Sequence, residues 1–585
     1  MKYELIHNSL NDLDNPIETI LRNRGIDDVQ QYLNLDSSVV QDYNDLNNMS
    51  QAVECFINHF QNKDKILVMP DEDCDGYTSS AMLYLYIKAL DPEYPVEYLM
   101  HQRPKMHGLK DELDRVPDDI KLFIIADAST NDIDECNQLI DKGIDIIILD
   151  HHDEDYQEES EEEETYSGVL SNKAIIVNNQ LSPNYKNKSL SGAGIVYRFL
   201  QALDEEFWED YAYSLIDLCC LGNAADVMDM RSLETRFFVN EGLNNLNNKF
   251  LQALFKAQAF SMKGVLNIHT VTWFMSPVIN AVTRMGTTED RELLFRAMLE
   301  QDEEFDYQKR DGSIIKENIY DRAARIAKNI KSRQDAQRDK VFDELKNQVD
   351  LNDKVVFLES KIAQSGLVGL SAMKLADTIK RPVIIVKEIN RNGEVLLSGS
   401  CRNYENSPIL DFKDLILQTN AFAFCSGHDN AAGLAIEPCN IDFAKQQFKA
   451  LLEDVDFDLP IPCDFIIDID DLNVGFIQEI DQAAWIWGTD VKEPKIAIKN
   501  ITVFRPDIHV QGKNFDSIAF MVGDIKFVMF KMAETEPLLE WASAWDGDDD
   551  DYIVLDAIVE VGLNEYKGVY TPQCMIKTYN ITAQN

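Results

Sequence analysis

Residues 65–80 read KILVMPDEDCDGYTSS, and this stretch constrains the fold more than any other. Ile66-Leu67-Val68-Met69 is an apolar run long enough for one buried strand. Asp71, Asp73 and Asp75 follow at alternate positions, then Gly76, a Thr/Ser cluster and the helical apolar pattern Ala81, Met82, Leu83, Leu85, Ile87. Strand, acidic loop and helix in that order put the carboxylates at the carboxyl end of a parallel strand, where open α/β sheets hold ligands. Three acids so close repel one another, and a bound cation offsets that cost most directly. Oxygen ligands suit Mg²⁺ or Mn²⁺. An EF-hand loop fits less well, because its twelfth position is Met82 where a bidentate Glu is needed. A solvated acidic turn stays open from these residues alone.

The pattern continues as strand and helix. Val96–Met100 reads as a strand, followed by a loop with His101, Arg103, Lys105, His107 and Gly108. Leu122–Ala126 and Ile144–Leu149 read as further strands, ending in Asp127 and in Asp150-His151-His152. One acid after a strand is commonplace; three strands ending in Asp or His at one sheet edge bring ligands together. Ala174–Val177 is a further strand, and Gly192 and Gly194 open an apolar helix, where close packing explains them as well as a ligand does. Tyr211–Leu221 reads as a buried helix that GNAAD, 222–226, terminates, with Asp226 a fourth candidate ligand. Asn280 and Arg284 lie in WFMSPVINAVTRMG; Arg284 is open as a surface cation or an anion clamp.

Residues 1–64 read as a helical arm packed on the first domain, 65–315 as a parallel-sheet α/β domain and 316–350 as one connecting helix. Arg322, Arg325, Lys328, Lys331, Arg333, Arg338 and Lys340 give that helix a basic flank, suited to a phosphate backbone or simply to solvent. A second α/β unit, 351–458, carries GSCRN at 399–403 and SGHDNAAG at 426–433. Backbone N–H, Ser400 and Arg402 together suit an anion. His428 alone is more often structural. Short strands recur over 459–585, as in a small barrel or sandwich. The fold class is therefore α/β multidomain with a terminal β-barrel.

The net charge of −47 argues against nucleic acid unless basic groups are concentrated locally or metals neutralise the site. Only part of it sits in acidic runs such as 153–164 and 546–551, whose simplest reading is solvated loop. No stretch of about 18 apolar residues suggests a membrane span, and the N-terminus lacks an apolar signal core. Ten cysteines without CxxC spacing fit free thiols in a reducing cytosol.

Taken together, DEDCDG, Ala126-Asp127, LDHH at 149–152 and GNAADV at 222–227 resemble the DHH phosphoesterase superfamily. GSCR and SGHDNAAG resemble the DHHA1 domain that accompanies it. Motif order, the long helix and an OB-like terminal barrel resemble the RecJ-like single-strand-specific 5′→3′ exonucleases, as do NRGI at 23–26 and NEYKG at 564–568. The chain departs from the family at Glu72, where a hydrophobic residue is usual, at Ser426-Gly427, at Thr283 before Arg284, and around Ile362–Ser365. Such departures fit a divergent, phage-encoded relative.

The resemblance implies two divalent ions, Mn²⁺ in preference to Mg²⁺, held by Asp71, Asp73, Asp75, Asp127, His151 and Asp226. Asp127 would bridge, His152 would contact the scissile phosphate, and Asp150 would orient a ligating histidine. Arg103, Asn280, Arg284, Ser400, Arg402 and His428 are the implied phosphate and nucleic-acid contacts. The implied partner is single-stranded DNA, degraded to mononucleotides by a cytoplasmic monomer in repair and recombination. Acidic surfaces would meet replication or recombination proteins. Two alternatives are a DHH phosphodiesterase for oligonucleotides or cyclic dinucleotides and a silent replication scaffold of the Cdc45 type. Retention of every candidate ligand argues against silence.

Overall fold

The computed structural model describes all residues except 8, 105, 155, 159–164, 310, 365, 392–393, 533–535, 545–550 and 585. Lys105, Ser365 and most of the two acidic runs therefore lie outside the described residues.

Five strands form the first sheet: β1 Ile66–Pro70, β2 Val96–Tyr98, β3 Leu122–Ala126, β4 Asp145–Asp150 and β5 Ile175–Asn178. All are parallel, in the order β2-β1-β3-β4-β5. β1 is buried along its whole length because both faces are covered. Ile66 and Val68 enter one core, Leu67 and Met69 the opposite one. The chain leaves β1 to one side for β2 and returns on the other for β3. The topological switch point, where such sheets bind ligands, thus falls between β1 and β3.

Helix α1, Cys74–Leu90, starts directly after the acidic loop and is apolar on nearly every side, as a helix inside a core must be. It packs against α2, Gly192–Phe207, and α3, Ile216–Ala225. α3 runs through Gly222 rather than stopping there, and Asp226 caps it. The glycine serves contact, not termination: a Cβ on Gly222 would collide with Asp75 Oδ1 and Ala193. α4, Ser276–Met285, and α5, Thr288–Met298, complete this unit.

The connecting helix α6, Ile319–Leu345, joins two separate cores. Its residues to Ile330 pack in the first, Val341 and Leu345 in that of the second unit. Its basic flank is partly neutralised: Arg325 pairs with Glu317, Lys331 and Arg338 with Asp335. The second unit holds β6 Val356–Glu359, β7 Val383–Arg391, β8 Glu394–Arg402, β9 Phe422–His428 and β10 Ala431–Ile436, ordered β6-β7-β8-β10-β9. One face is covered by helices 412–418 and 441–451. On the opposite face α7, Val368–Ile379, lies over β7 and β8, with β6 side chains in the same core. Register sets Arg402 and His428 on either side of Ala431, and Ser400 and Ser426 on either side of Gly433.

The C-terminal domain is a seven-stranded mixed sheet: β11 Phe465–Asp468, β12 Ile496–Phe504, β13 His509–Gln511, β14 Ser517–Val522, β15 Ile525–Met529, β16 Tyr552–Tyr566 and β17 Val569–Gln584. The order is β11-β12-β16-β17-β15-β14-β13, so the described strands form an open rather than a closed barrel. The N-terminal arm divides between two domains. Met49–Asn62 packs on the first sheet, whereas Ile20, Leu21, Val29 and Tyr32 enter the C-terminal core. Tyr3–Leu5 pairs in parallel with Ile461–Cys463. Arg24 grips the buried Asp464 with two bonds of 2.7 and 3.0 Å, and Asn23 adds a third of 2.9 Å. The arm is a clasp, and these contacts are why it does not stay with the first domain.

Candidate metal centre and cleft

Asp71 and Asp73 follow β1, Asp75 lies in the first turn of α1, Asp127 follows β3, His151 follows β4, and Asp226 caps α3. The fold brings all six together. Donor atoms of Asp71, Asp73 and Asp127 lie within 4.8 Å of one another, as do those of Asp75, His151 and Asp226. His151 Nε2 links the groups, 3.2 Å from Asp127 Oδ1 and 3.4 Å from Asp226 Oδ2.

Local geometry forces each carboxylate inward. Asp73 caps α1 by accepting the Gly76 N–H at 3.0 Å. The N-terminus of α1 therefore aims its positive end at the cluster. Asp127 adopts a left-handed φ of 64°, and Val227, directly after Asp226, one of 59°. The latter is strained for a β-branched residue. Three glycines make room. A Cβ on Gly76 would come 2.6 Å from Asp71 Cβ, and one on Gly192 2.5 Å from Asp127 Cβ; Gly222 abuts Asp75. The small residues at 192 and 222 thus serve close helix packing and the ligands at once.

The electrostatics call for a cation. Burial, with the charges of Asp75 and Asp73, pushes Asp127 well above the usual carboxylate range. Burial and Asp75 do the same to Asp226, and burial with Asp71 and Asp75 raises Asp73 to about 6. Asp75 Oδ2 and Asp127 Oδ1 are buried without hydrogen-bond donors. Unpaired buried carboxylate oxygens are costly, and an oxygen-rich set with one imidazole fits Mn²⁺ or Mg²⁺.

Asp150 is fully enclosed. It accepts from the Thr130 N–H and hydroxyl, at 3.1 and 2.7 Å, and from His152 Nδ1 at 2.7 Å. Burial opposes its ionisation, but the bond and charge of His152 outweigh it and hold the carboxyl far below its usual range. Burial likewise disfavours the His152 cation, and Asp150 reverses that, raising the ring to about 9. The orienting bond thus goes to the His152 ring, while His151 offers only its backbone N–H, at 2.7 Å.

Several contributors are invisible to motif reading. His107 Nδ1 donates to Asp71 at 3.0 Å, and the buried His101 stands 3.6 Å from it, backed by Glu112 at 3.3 Å. Ser191 Oγ and the Ala193 N–H hold Asp75 at 2.8 and 3.1 Å. Glu72 turns away from the cluster to pair with the buried Arg291 at 2.5 Å; Arg291 also donates to the carbonyls of His101 and Gln102. Arg291 lies far along the sequence from Glu72, and no spacing rule joins them.

A cleft of about 390 Å³ runs from Asp71 and Asp73 past His107 and Arg284 to Gly369, Ser400 and Arg402 of the second unit. Burial lowers the basicity of both arginines, and Arg402 feels the charge of Arg284 as well. Other expected contacts sit apart from the cleft lining. Asn280 is engaged in accepting the Cys74 N–H at 2.9 Å, Arg103 is exposed on its loop, and His428 is exposed at the end of β9.

Comparison with known proteins agrees with this geometry. Residues 65–223 match the DHH family, N-terminal domain, and 463–578 match the RecJ OB domain. A protein of Bacillus subtilis strain 168 named "Putative SPbeta prophage-derived single-strand DNA-specific exonuclease YorK" is 38% identical over 98% of this chain and 97% of its own. The single-stranded-DNA-specific exonuclease RecJ of the same organism is 23% identical over 96% of this chain and 67% of its own. The crystal structure of RecJ from Thermus thermophilus in complex with Mn²⁺ shares the fold. Its TM-score is 0.72 at 17% identity, covering 99% of this chain and 78% of that one. No described helix is long and apolar enough to cross a membrane. A parallel sheet with carboxylates at its switch point, a second unit across a cleft and an OB domain place the chain in the RecJ-like family of DHH single-strand DNA-specific exonucleases.

Proposed function

We propose that this protein is a 5′→3′ exonuclease that degrades single-stranded DNA to mononucleotides by two-metal phosphodiester hydrolysis. The carrying observation is one cleft with two chemistries: a carboxylate cluster on one wall, Ser400 and Arg402 on the other, and Arg284 between. Asp71, Asp73 and Asp127 would hold one divalent ion, and Asp75, His151 and Asp226 the other, with Asp127 shared. Mixed Asp/His donors favour Mn²⁺ over Mg²⁺. Two such ions supply water activation and stabilise the attacking and leaving oxygens.

The chain's own residues do the rest. Asp150 fixes the His152 ring and raises its basicity, so that it can serve as a donor for the scissile phosphate or leaving oxygen. Arg284, Ser400 and Arg402 act as a stop for the terminal phosphate, for which a guanidinium fork is suited. Gly369 leaves the Arg402 guanidinium room: a Cβ there would come within 2.6 Å of Nη2. A cleft of this volume would suit a single strand rather than a duplex. The ends of the strand are distinguished by that stop, which gives polarity.

The test uses 5′- and 3′-labelled single-stranded DNA, RNA and duplex with Mn²⁺, and the Asp127→Ala variant as control. Stepwise 5′ mononucleotide release, lost in the variant, is expected. Release from the 3′ end refutes the polarity. Cleavage of dinucleotides alone identifies a small-substrate phosphodiesterase, and inactivity on every phosphodiester leaves a scaffold.

A further inference from the structure

At the opposite edge of the first sheet, a second cluster of metal-ligating groups lies outside the catalytic cleft. Cys55 and His59 sit four residues apart on helix Met49–Asn62, hence on one face of it. Asp145 opens β4 opposite them. Ligand atoms of the three lie within 4.8 Å of one another. The ring of His59 is already set for coordination. Its Nδ1 donates to Asp64 at 2.8 Å, leaving Nε2 aimed at Asp145, 3.0 Å away. A carboxylate behind the far ring nitrogen is the arrangement that orients metal-bound imidazoles. The Tyr94 hydroxyl secures this turn by donating to the carbonyls of His59 and Asp64 at 3.0 and 2.8 Å. A cleft of about 370 Å³, lined also by Gln51, Glu54, Asn58 and Lys173, opens over the trio and provides space for a fourth ligand.

We propose that Cys55, His59 and Asp145 form a zinc site, separate from the catalytic ions and oriented by Asp64. One thiolate, one imidazole and one carboxylate suit Zn²⁺ and disfavour Mg²⁺, Mn²⁺ and Ca²⁺. The thiol loses its proton to solvent on binding, as zinc thiolates do. β4 separates this site from the catalytic edge by five residues, roughly 16 Å of strand. The cation joins the N-terminal helix, the turn after it and the central sheet, so its effect is on the fold rather than on the chemistry of hydrolysis. The inference does not depend on the proposed nuclease reaction.

Cobalt titration of the full chain tests it, in an Asp127→Asn background that disables the catalytic cluster. One equivalent of Co²⁺ is expected to give a near-ultraviolet thiolate-to-cobalt charge-transfer band with tetrahedral visible bands. Zn²⁺ should displace it. Cys55→Ser should abolish the band, Cys439→Ser, an exposed thiol elsewhere, should keep it, and Asp64→Asn should weaken binding about 10- to 100-fold. A thermal melt without metal checks that Cys55→Ser folds. No charge-transfer band in the parent, or a band that survives in the folded Cys55→Ser protein, overturns the assignment.

Discussion

Replacing Arg291 by Met isolates the contribution of the buried pair beside the metal centre. Arg291 is 1% exposed and Glu72 4%. Burial raises Glu72 to about 7 even beside Arg291, so at pH 9, where the intact pair is ionised, the substitution leaves a buried carboxylate without its counter-charge, and the carbonyls of His101 and Gln102 lose donors at 3.1 Å each. Removing one member of a buried pair costs about 3–5 kcal/mol, a large share of a domain's total of about 5–15 kcal/mol. Replacing Glu72 by Met as well removes the stranded charge, so only the carbonyls remain unsatisfied, a cost of about 1–3 kcal/mol. The double variant should therefore be about 2 kcal/mol more stable than Arg291→Met. Urea unfolding in EDTA, followed through the first cooperative transition, measures the difference, and the two single variants complete the cycle. A double variant no more stable than Arg291→Met refutes the view that the pair is held together by mutual neutralisation. Mn²⁺ binding supplies a second reading. Both variants loosen the loop that brings His101 and His107 to Asp71, so both should bind Mn²⁺ more weakly than the parent.

Gly192→Ala drives a methyl into Asp127 and should cost about 1–3 kcal/mol by overpacking, with Mn²⁺ affinity falling at least as sharply; unchanged affinity by calorimetry would show that the cradle is not specific. Asp127→Asn mimics the neutral carboxyl that burial, Asp75 and Asp73 favour at this position, so the metal-free variant should melt no lower than the parent, yet show none of the parent's Mn²⁺-dependent rise. At an Mn²⁺ concentration a hundred times its dissociation constant, that rise corresponds to about 2.7 kcal/mol, and EDTA should reverse it. Arg24→Ala strands the buried Asp464 and should cost about 3 kcal/mol. Limited proteolysis should then cut near the N-terminal arm before the first domain; an unchanged cleavage order would count against the clasp.

The sequence by itself determined the strand–acid–helix unit at Ile66–Leu90 and the placing of Asp127, His151 and Asp226 at element ends. These features are local: apolar runs set the strands, periodicity sets the helices, and a parallel sheet puts every such end on one edge. The switch point at β1 then followed from connectivity. Only the tertiary structure decided what turns those ends into a site. Glu72 could not be assigned from its neighbours, because its partner Arg291 comes from α5. Gly192 read as a packing or ligand signal and Gly222 as part of a helix stop, and the fold shows that Asp127 and Asp75 occupy the space their side chains would need. The N-terminal helices carry apolar faces of a kind that fits any core, so sequence could not say that one belongs to the first sheet and the others to the C-terminal domain. Asp464, their anchor, lies some 440 residues away. Local pattern records which elements form; which charges are neutralised, and by whom, is fixed by long-range contacts that no spacing encodes.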